Sequence, residues 1–212
     1  MSEDIFIMGK DRTSSYVAFT LANSCMPTLI KLKPSSLVSF RKRYIDSRDN
    51  FFKALTREIG SFGCLYHVLY EGENDICILI YDTALLYEVL LRNKSNPLFS
   101  GKGYKLDGCR MEETLERLEE RYGKYQKNKD QELTRDFPHE IGIILGYPAA
   151  DVEEYIRNNG ENYILCGYWK VYRNAEEAVK LFSVFSGIRT DAIKLFFTGR
   201  PLSELKGVID RA

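Results

Sequence analysis

The sequence predicts an α+β or mixed α/β fold, in which several helices cover a sheet of about three to five strands that contains a β-hairpin. The hairpin is the clearest observation, because two apolar stretches at 64–70 and 76–81 flank a short polar segment that contains Gly72. The second stretch is apolar on both faces, which is typical of a central strand. Elsewhere, apolar residues recur at the spacing of amphipathic helices, and we expect one domain over 1–212.

The first part of the chain is predicted to supply the rest of the sheet. A helix over 14–24 is predicted to end before Pro27, because a proline disfavours helical geometry in the residue that precedes it. A strand over 28–32 and a second extended segment over 36–40 are expected to follow. The next helix is expected to end at Gly60, since glycine is favoured directly after a helix.

The second part of the chain is predicted to be mainly helical. Its polar or glycine-containing stretches at 93–110 and 126–135 are predicted to be flexible loops. One aromatic strand is expected over 163–172, in which Gly167 marks a bulge or a close backbone approach. The predicted helices are 83–92, 111–125, 138–145, 149–158, one that starts after Asn174 and a terminal one from Leu202, with a further helix or strand over 190–197.

Charge and cysteine content exclude several classes of protein. The 30 basic residues balance the 30 acidic ones, which argues against a protein that coats nucleic acid or an anionic membrane. The 5 cysteines form no Cys-x-x-Cys pair, which favours reduced thiols in a cytoplasm. Residues 1–12 lack the apolar region of a signal peptide, and no apolar run approaches the roughly 20 residues that span a bilayer. We therefore expect a cytoplasmic protein without a membrane partner.

Three stretches carry recognisable motifs. They are residues 21–29 followed by Lys33-Pro34, FPHEIGIILGYP at 137–148 followed by Asp151-Val152, and GYWKVY at 167–172. On these residues, which extend over most of the chain, the protein resembles a family of anaerobic Gram-positive bacteria, the domain of unknown function 3793. The resemblance implies no activity. Members encoded near flavodoxin-type electron carriers imply a redox or iron-linked role, and a redox protein partner such as a flavodoxin.

His139 and Glu140 are candidate catalytic residues, because adjacent imidazole and carboxylate groups can exchange protons or bind a metal. The metal-binding pattern H-E-x-x-H is absent, since Ile143 stands four residues after His139, and no metal site is predicted. Pro138 suits the first position of a helix, and Glu140 is favoured in its first turn by the helix dipole. Only His139 is left without a structural explanation, although a structural role remains the alternative for both residues.

Cys25 is the third candidate catalytic residue. It follows a predicted helix, where the helix dipole opposes the lowered pKa that a thiol nucleophile needs. Catalysis by Cys25 would therefore require a base such as His139 nearby. The alternative is a small, buried apolar cysteine.

Four further residues are predicted to bind a ligand. Lys33 and Lys170 carry charges without a structural explanation, while Tyr168 and Trp169 lie on the aromatic strand, where rings stack on bases or a flavin, or pack in the core. A helix N-terminus near His139 would offer N–H groups to an anion. The sequence names no cofactor. The prediction is a pocket for a small anionic ligand, formed by Cys25, Lys33, His139, Glu140 and Lys170.

Two other functions compete with this pocket, and catalysis itself stays open. A non-catalytic protein-interaction module would use an exposed apolar or aromatic patch. A DNA-binding helix-turn-helix over 141–157 has suitable apolar spacing, but Asp151, Glu153 and Glu154 would repel phosphates. Nucleic acid is therefore disfavoured, and the segment is predicted to be a helical hairpin that serves packing.

Overall fold

The computed structural model describes residues 11–106, 110–128 and 136–206. It confirms the predicted α+β class, with a three-stranded antiparallel sheet and a separate two-stranded sheet among helices. Within the described ranges, no helix combines the length and the apolar character that a membrane span requires.

The chain divides into two compact units. Unit 1 comprises the described residues up to Asp82 and from Phe185 onward, and unit 2 is the segment from Thr83 to Val184. Each unit is described by itself, and the prediction of a single domain over 1–212 stays a prediction.

The sheet of unit 1 contains β1 (Ser35–Arg41), β2 (Leu65–Glu71) and β3 (Asp75–Tyr81). Its order is β1-β3-β2, and both pairs of neighbours are antiparallel. The predicted hairpin is therefore confirmed. The central position of β3 is confirmed as well, and every residue from 76 to 81 is buried, as its two apolar faces predicted.

The N-terminal part of unit 1 contains the helices α1 (Arg12–Ser24), α2 (Met26–Leu29) and α3 (Arg48–Gly60). The sequence analysis did not predict α2. The predicted strand over 28–32 is wrong, because the segment begins inside α2 and the amide of Ile30 bonds to the carbonyl oxygen of Met26 over 3.0 Å. The reason is Pro27, which lies in the first turn of α2, where its missing N–H costs nothing.

The core of unit 1 lies between its sheet and its helices. Phe40 of β1 and Phe51 of α3 are fully buried, and their ring centroids lie 5.0 Å apart in edge-to-face contact. The last described part of the chain completes this core through Ala192, Leu202 and Leu205. The predicted terminal helix from Leu202 is a single 3₁₀ turn over Leu202–Leu205.

Unit 2 is mainly helical, with α4 (Thr83–Arg92), α5 (Pro97–Ser100), α6 (Met111–Asn128), α7 (Glu140–Ile144) and α8 (Ala149–Arg157). The predicted loop over 93–110 contains α5 and the buried Tyr104, while residues 107–109 lie outside the described residues. In the predicted loop over 126–135, α6 continues to Asn128, and residues 129–135 lie outside the described residues. The flexibility of both segments stays a prediction.

The aromatic strand predicted over 163–172 is wrong, because the chain turns within it. Two short antiparallel strands, β4 (Leu165–Cys166) and β5 (Lys170–Val171), form a hairpin, and the amide of Gly167 bonds to the carbonyl oxygen of Trp169 over 3.0 Å. A Cβ atom at Gly167 would overlap the ring of Phe182. The close approach predicted at Gly167 is therefore present, and it occurs in a turn rather than in a bulge.

The last helix, α9 (Ala175–Phe197), begins in unit 2 and continues in unit 1. The element predicted over 190–197 is the end of this same helix. Its buried residues, Ala178, Phe185 and Ala192, recur every seven residues, which places them on one stripe of the helix.

Candidate functional site

Glu140 lies in a buried ion pair that joins α6 to α7. Its side chain is 1% exposed, and its carboxylate accepts hydrogen bonds from the Nε of Arg121 and, over 3.0 Å, from the hydroxyl of Tyr104. Burial, followed by the nearby Glu140 carboxylate, raises the pKa of Tyr104, so this hydroxyl keeps its proton. Glu140 thus helps to hold α6 and α7 together, while its predicted role in proton transfer stays a prediction.

His139 precedes α7, and its ring is half-buried between two aromatic side chains. The ring centroids of Phe137 and Tyr155 lie 5.1 Å and 5.8 Å from that of His139. Burial lowers the pKa of His139, so the imidazole is neutral at pH 7. No hydrogen bond from another described residue reaches its ring nitrogens, which leaves them available to a ligand or a proton.

The contacts of His139 belong to a longer series of aromatic side chains on unit 2. Tyr125 of α6 packs edge-to-face on Phe137, with 5.0 Å between the ring centroids. We call Tyr125, Phe137, His139, Tyr155 and Tyr163 the aromatic row. Every member is at least partly exposed, with Tyr155 at 38% and Tyr163 at 40%. The sequence analysis missed Tyr155 and Tyr163, because their proximity to His139 depends on how α8 and the following loop pack.

Lys170 joins the last two members of the aromatic row. Its Nζ lies 4.7 Å from the ring centroid of Tyr163 and 5.7 Å from that of Tyr155, distances typical of cation–π contacts. The same Nζ donates a hydrogen bond of 2.7 Å to the carbonyl oxygen of Gly160, just after α8. A cation at the C-terminal end of a helix is favourable, so the packing of unit 2 supplies the structural reason that the sequence lacked.

Cys25 and Lys33 lie in unit 1. Cys25 is fully buried at the end of α1, and burial raises the pKa of its thiol to about 12. At this pKa the thiol is protonated at neutral pH, and the predicted catalytic role of Cys25 stays a prediction. Lys33 is half-buried, and burial lowers the pKa of its amine to about 8. The predicted pocket would combine these two residues with His139, Glu140 and Lys170 of unit 2, and it stays a prediction.

Trp169 is held by Asp151, a residue that the sequence analysis did not select as a site residue. The indole Nε1 donates a hydrogen bond of 2.8 Å to the Oδ2 of Asp151, whose other oxygen accepts from the backbone amides of Tyr172 and Arg173 over 2.9 Å and 3.1 Å. Asp151 is 3% exposed, so this buried carboxylate fixes α8 against β5. Tyr168 packs on Phe182, with 5.4 Å between their ring centroids.

A cavity of about 230 Å³ lies beside Trp169. It is bounded by the loop before α8, by the start of α8, by Trp169 just before β5, by the segment between β5 and α9, and by the start of α9. Across the described part of the chain, no group of three or more His, Cys, Asp or Glu residues is arranged to hold a metal ion. The wall of the cavity beside Trp169 includes Pro148, Asp151, Trp169, Arg173, Glu177 and Leu181.

The motif stretches at 137–148 and 167–172 contribute to both features, since they carry Phe137 and His139 of the aromatic row and Trp169 of the cavity. The family described as "Protein of unknown function (DUF3793)" matches residues 21–206. The chain belongs to this family. Searches of curated proteins and of solved structures gave no match for the DUF3793 chain.

In this DUF3793 protein, α7 and α8 form the helical hairpin that the sequence predicted. A Cβ atom at Gly142 would lie 2.9 Å from Cγ2 of Val152, so the glycine permits the close approach of the two helices. Two carboxylates of α8 form hydrogen bonds within the protein. Asp151 accepts one from Trp169, and Glu153 accepts one of 3.0 Å from Asn96. The helix carries more carboxylates than basic groups, and the prediction that nucleic acid is not a partner stays a prediction.

Proposed function

We propose that this DUF3793 protein is a non-catalytic binding module whose partner surface is the aromatic row. The observation that carries the proposal is the contrast among the candidate residues. Cys25 is a buried, protonated thiol and Glu140 is held in a buried ion pair, whereas His139 remains accessible among exposed rings. Chemistry that needs a nucleophile or a free carboxylate therefore has little support, while recognition has a surface.

The composition of the aromatic row suits recognition of another protein. Tyrosine and phenylalanine are enriched at protein interfaces, where they contribute a large contact area at a low cost in side-chain entropy. Tyr155 and Tyr163 are well exposed, and both flank the ammonium of Lys170, whose position is already fixed by Gly160. A fixed cation between two exposed rings forms a surface that needs little rearrangement when it binds a partner.

The partner that we propose is a flavodoxin-type redox protein in a bacterial cytoplasm. A flavodoxin binds its flavin at the carboxyl ends of its strands, and aromatic side chains pack well against such planar rings. Cys25, Cys64 and Cys77 are all free and buried, which is consistent with a reducing compartment. The predicted small anionic ligand stays a prediction beside this proposal.

The proposal is tested by calorimetric titration of the purified protein with a flavodoxin in its FMN-loaded form. Redox partners form small interfaces, so we expect a Kd on the order of 10 µM. Replacing Tyr155 or Tyr163 by Ala should weaken binding by about tenfold or more, as is typical when an interface anchor is truncated. The matched control is Tyr87→Ala, because Tyr87 is 41% exposed on α4 and lies outside the row.

Two results would contradict this proposal. The first is the absence of any heat of binding at about 100 µM of each protein, a concentration that detects even weak redox complexes. The second is an equal loss of affinity in the Tyr87 and Tyr155 variants, since that result would separate binding from the aromatic row.

A further inference from the structure

We propose that the cavity beside Trp169 binds a small α-amino acid as a zwitterion. This inference concerns a site separate from the partner surface, and it does not depend on the proposed function. It rests on the size of the cavity, on its apolar walls and on the presence of both signs of charge among the side chains that line it.

The size of the cavity limits the ligand. Its volume of about 230 Å³ is below the roughly 300–1,000 Å³ of pockets that hold drug-sized molecules. A nucleotide or a flavin is therefore too large to be enclosed. A single amino acid with a small or medium apolar side chain suits the space.

The apolar part of the wall suits an aliphatic side chain. Pro148, Trp169 and Leu181 line the cavity. The indole of Trp169 is held in place, because it stacks on Tyr147 with 5.3 Å between the ring centroids and is hydrogen-bonded to Asp151. Burying an aliphatic group against these fixed walls is favourable, since it removes apolar surface from water.

The carboxylates in the cavity wall suit an ammonium group. Glu177 lies in the first turn of α9, is exposed, and forms no ion pair with another described residue. Asp151 is buried and has no cationic partner in the described part of the chain. Its Oδ2 accepts one hydrogen bond, from Trp169, whereas a carboxylate oxygen can accept two. An ammonium group has three N–H donors and would supply the positive charge that these carboxylates lack.

The guanidinium and the helix amide in the cavity wall suit a carboxylate. Arg173 donates through Nη2 to Glu154 over 3.0 Å, which leaves the other donors of its guanidinium for a ligand. Ala150 also lines the cavity, and its amide, in the first turn of α8, has no acceptor among the described residues. A guanidinium together with a free helix amide is a favourable environment for a carboxylate. A ligand with both charges would therefore use both kinds of group in the wall.

Trp169 provides a direct reading of the cavity, because it is the only tryptophan in the chain. The test is a fluorescence titration of the whole protein with L-leucine, alongside two analogues that each lack one charge. The first, 3-methylbutylamine, lacks the carboxylate, and the second, 4-methylpentanoate, lacks the ammonium group. We expect saturable binding of L-leucine, with each analogue at least about tenfold weaker, and a rise of the thermal unfolding midpoint with L-leucine concentration.

Matched variants connect this binding to the cavity. Glu177→Gln should weaken L-leucine binding by about tenfold, while Glu176→Gln, in the same turn of α9 but outside the wall, should leave it unchanged. Arg173→Gln should also weaken binding. Its control is Arg157→Gln, because Arg157 binds the same Glu154 without lining the cavity.

Each remaining outcome overturns the inference. If L-leucine produces neither a fluorescence change nor a thermal shift up to about 10 mM, the cavity is not an amino-acid site. If either analogue binds as well as L-leucine, the ligand is not recognised as a zwitterion. If the variants of Glu177 and Glu176 behave alike, the binding lies elsewhere.

Discussion

Phe40 and Phe51 of unit 1 differ in exposure from Tyr155 and Tyr163 of unit 2, and the two sets of rings serve different purposes. In unit 1, Phe40 and Phe51 are fully buried and form the centre of an apolar core. In unit 2, Tyr155 and Tyr163 remain exposed, while Glu140, at 1% exposure, lies inside and connects two helices. The difference teaches that aromatic rings contribute to a core in one region and remain partly exposed in the other, where we propose that they bind a partner.

The largest expected difference in stability is between the truncation of a buried ring in unit 1 and that of an exposed ring in unit 2. Phe51→Ala should lower the free energy of unfolding by about 3–5 kcal/mol, because it removes a buried ring and leaves a cavity. Tyr163→Ala should change it by less than about 1 kcal/mol, because Tyr163 is 40% exposed. Urea denaturation of both variants measures this difference. Equal losses would mean that Tyr163 is a core residue and would remove the contrast between the units.

The second effect concerns the buried charge of unit 2. Glu140→Gln removes the carboxylate that pairs with Arg121, whose side chain is 10% exposed, and should lower the free energy of unfolding by about 3 kcal/mol. Arg92→Gln breaks the exposed pair with Glu88 and should cost less than about 0.5 kcal/mol. A small effect of Glu140→Gln would show that unit 2 does not depend on this ion pair.

A smaller effect is expected from two glycines. Gly167→Ala places a methyl group against Phe182, so the β4–β5 hairpin must shift, at a cost of about 1–3 kcal/mol. Gly60→Ala, at the end of α3 in unit 1, meets no atom within 4 Å and should stabilise the helix by about 0.5 kcal/mol or leave it unchanged. Thermal unfolding of both variants compares them. A neutral Gly167→Ala would contradict the close approach of the hairpin to α9.

The smallest effect is a dependence on pH. Burial lowers the pKa of His139, although Glu140 and Asp136 oppose the shift. In the unfolded chain the pKa returns to about 6.5, so the unfolded state binds this proton more readily. The stability that neutral His139 contributes is complete above the unfolded pKa and is lost as the pH falls through the folded pKa.

We therefore expect the free energy of unfolding to decrease as the pH falls from about 7 to about 5, and the decrease to be smaller in the His139→Gln variant. Urea denaturation at several pH values measures both slopes. Identical slopes in the two proteins would contradict a half-buried, neutral His139 in the aromatic row.

Local sequence patterns predicted much of the fold. The helix at 83–92 has the same bounds in the structure, and the hairpin with its central strand follows from alternating and continuous apolar residues. Each of the two strands that were predicted wrongly involves a residue whose role the local sequence did not show. Pro27 lies in the first turn of α2 rather than directly before a strand. Gly167 lies in a turn, although the residues around it are mainly aromatic and apolar.

The candidate site was harder to predict, because its contacts join distant residues. His139 and Trp169 were selected from the sequence for their chemistry. His139 lies in the aromatic row, and Trp169 lies in the wall of the cavity. Arg121 and Glu140 are 19 residues apart, and Asp151 and Trp169 are 18 apart, so no local periodicity relates them. Such pairs follow only from the way the helices pack.

The division of unit 1 into two stretches has a consequence for its synthesis on the ribosome. The sheet and first helices come from residues before Thr83, yet their core also includes Ala192, Leu202 and Leu205. Chains are synthesised from their N-terminal end at roughly 5–20 residues per second. The core of unit 1 therefore cannot be completed until all of unit 2 has been translated. During that interval the apolar residues that these late side chains cover are incompletely buried. We expect unit 2 to finish folding first and nascent unit 1 to be the part of the chain that chaperones hold.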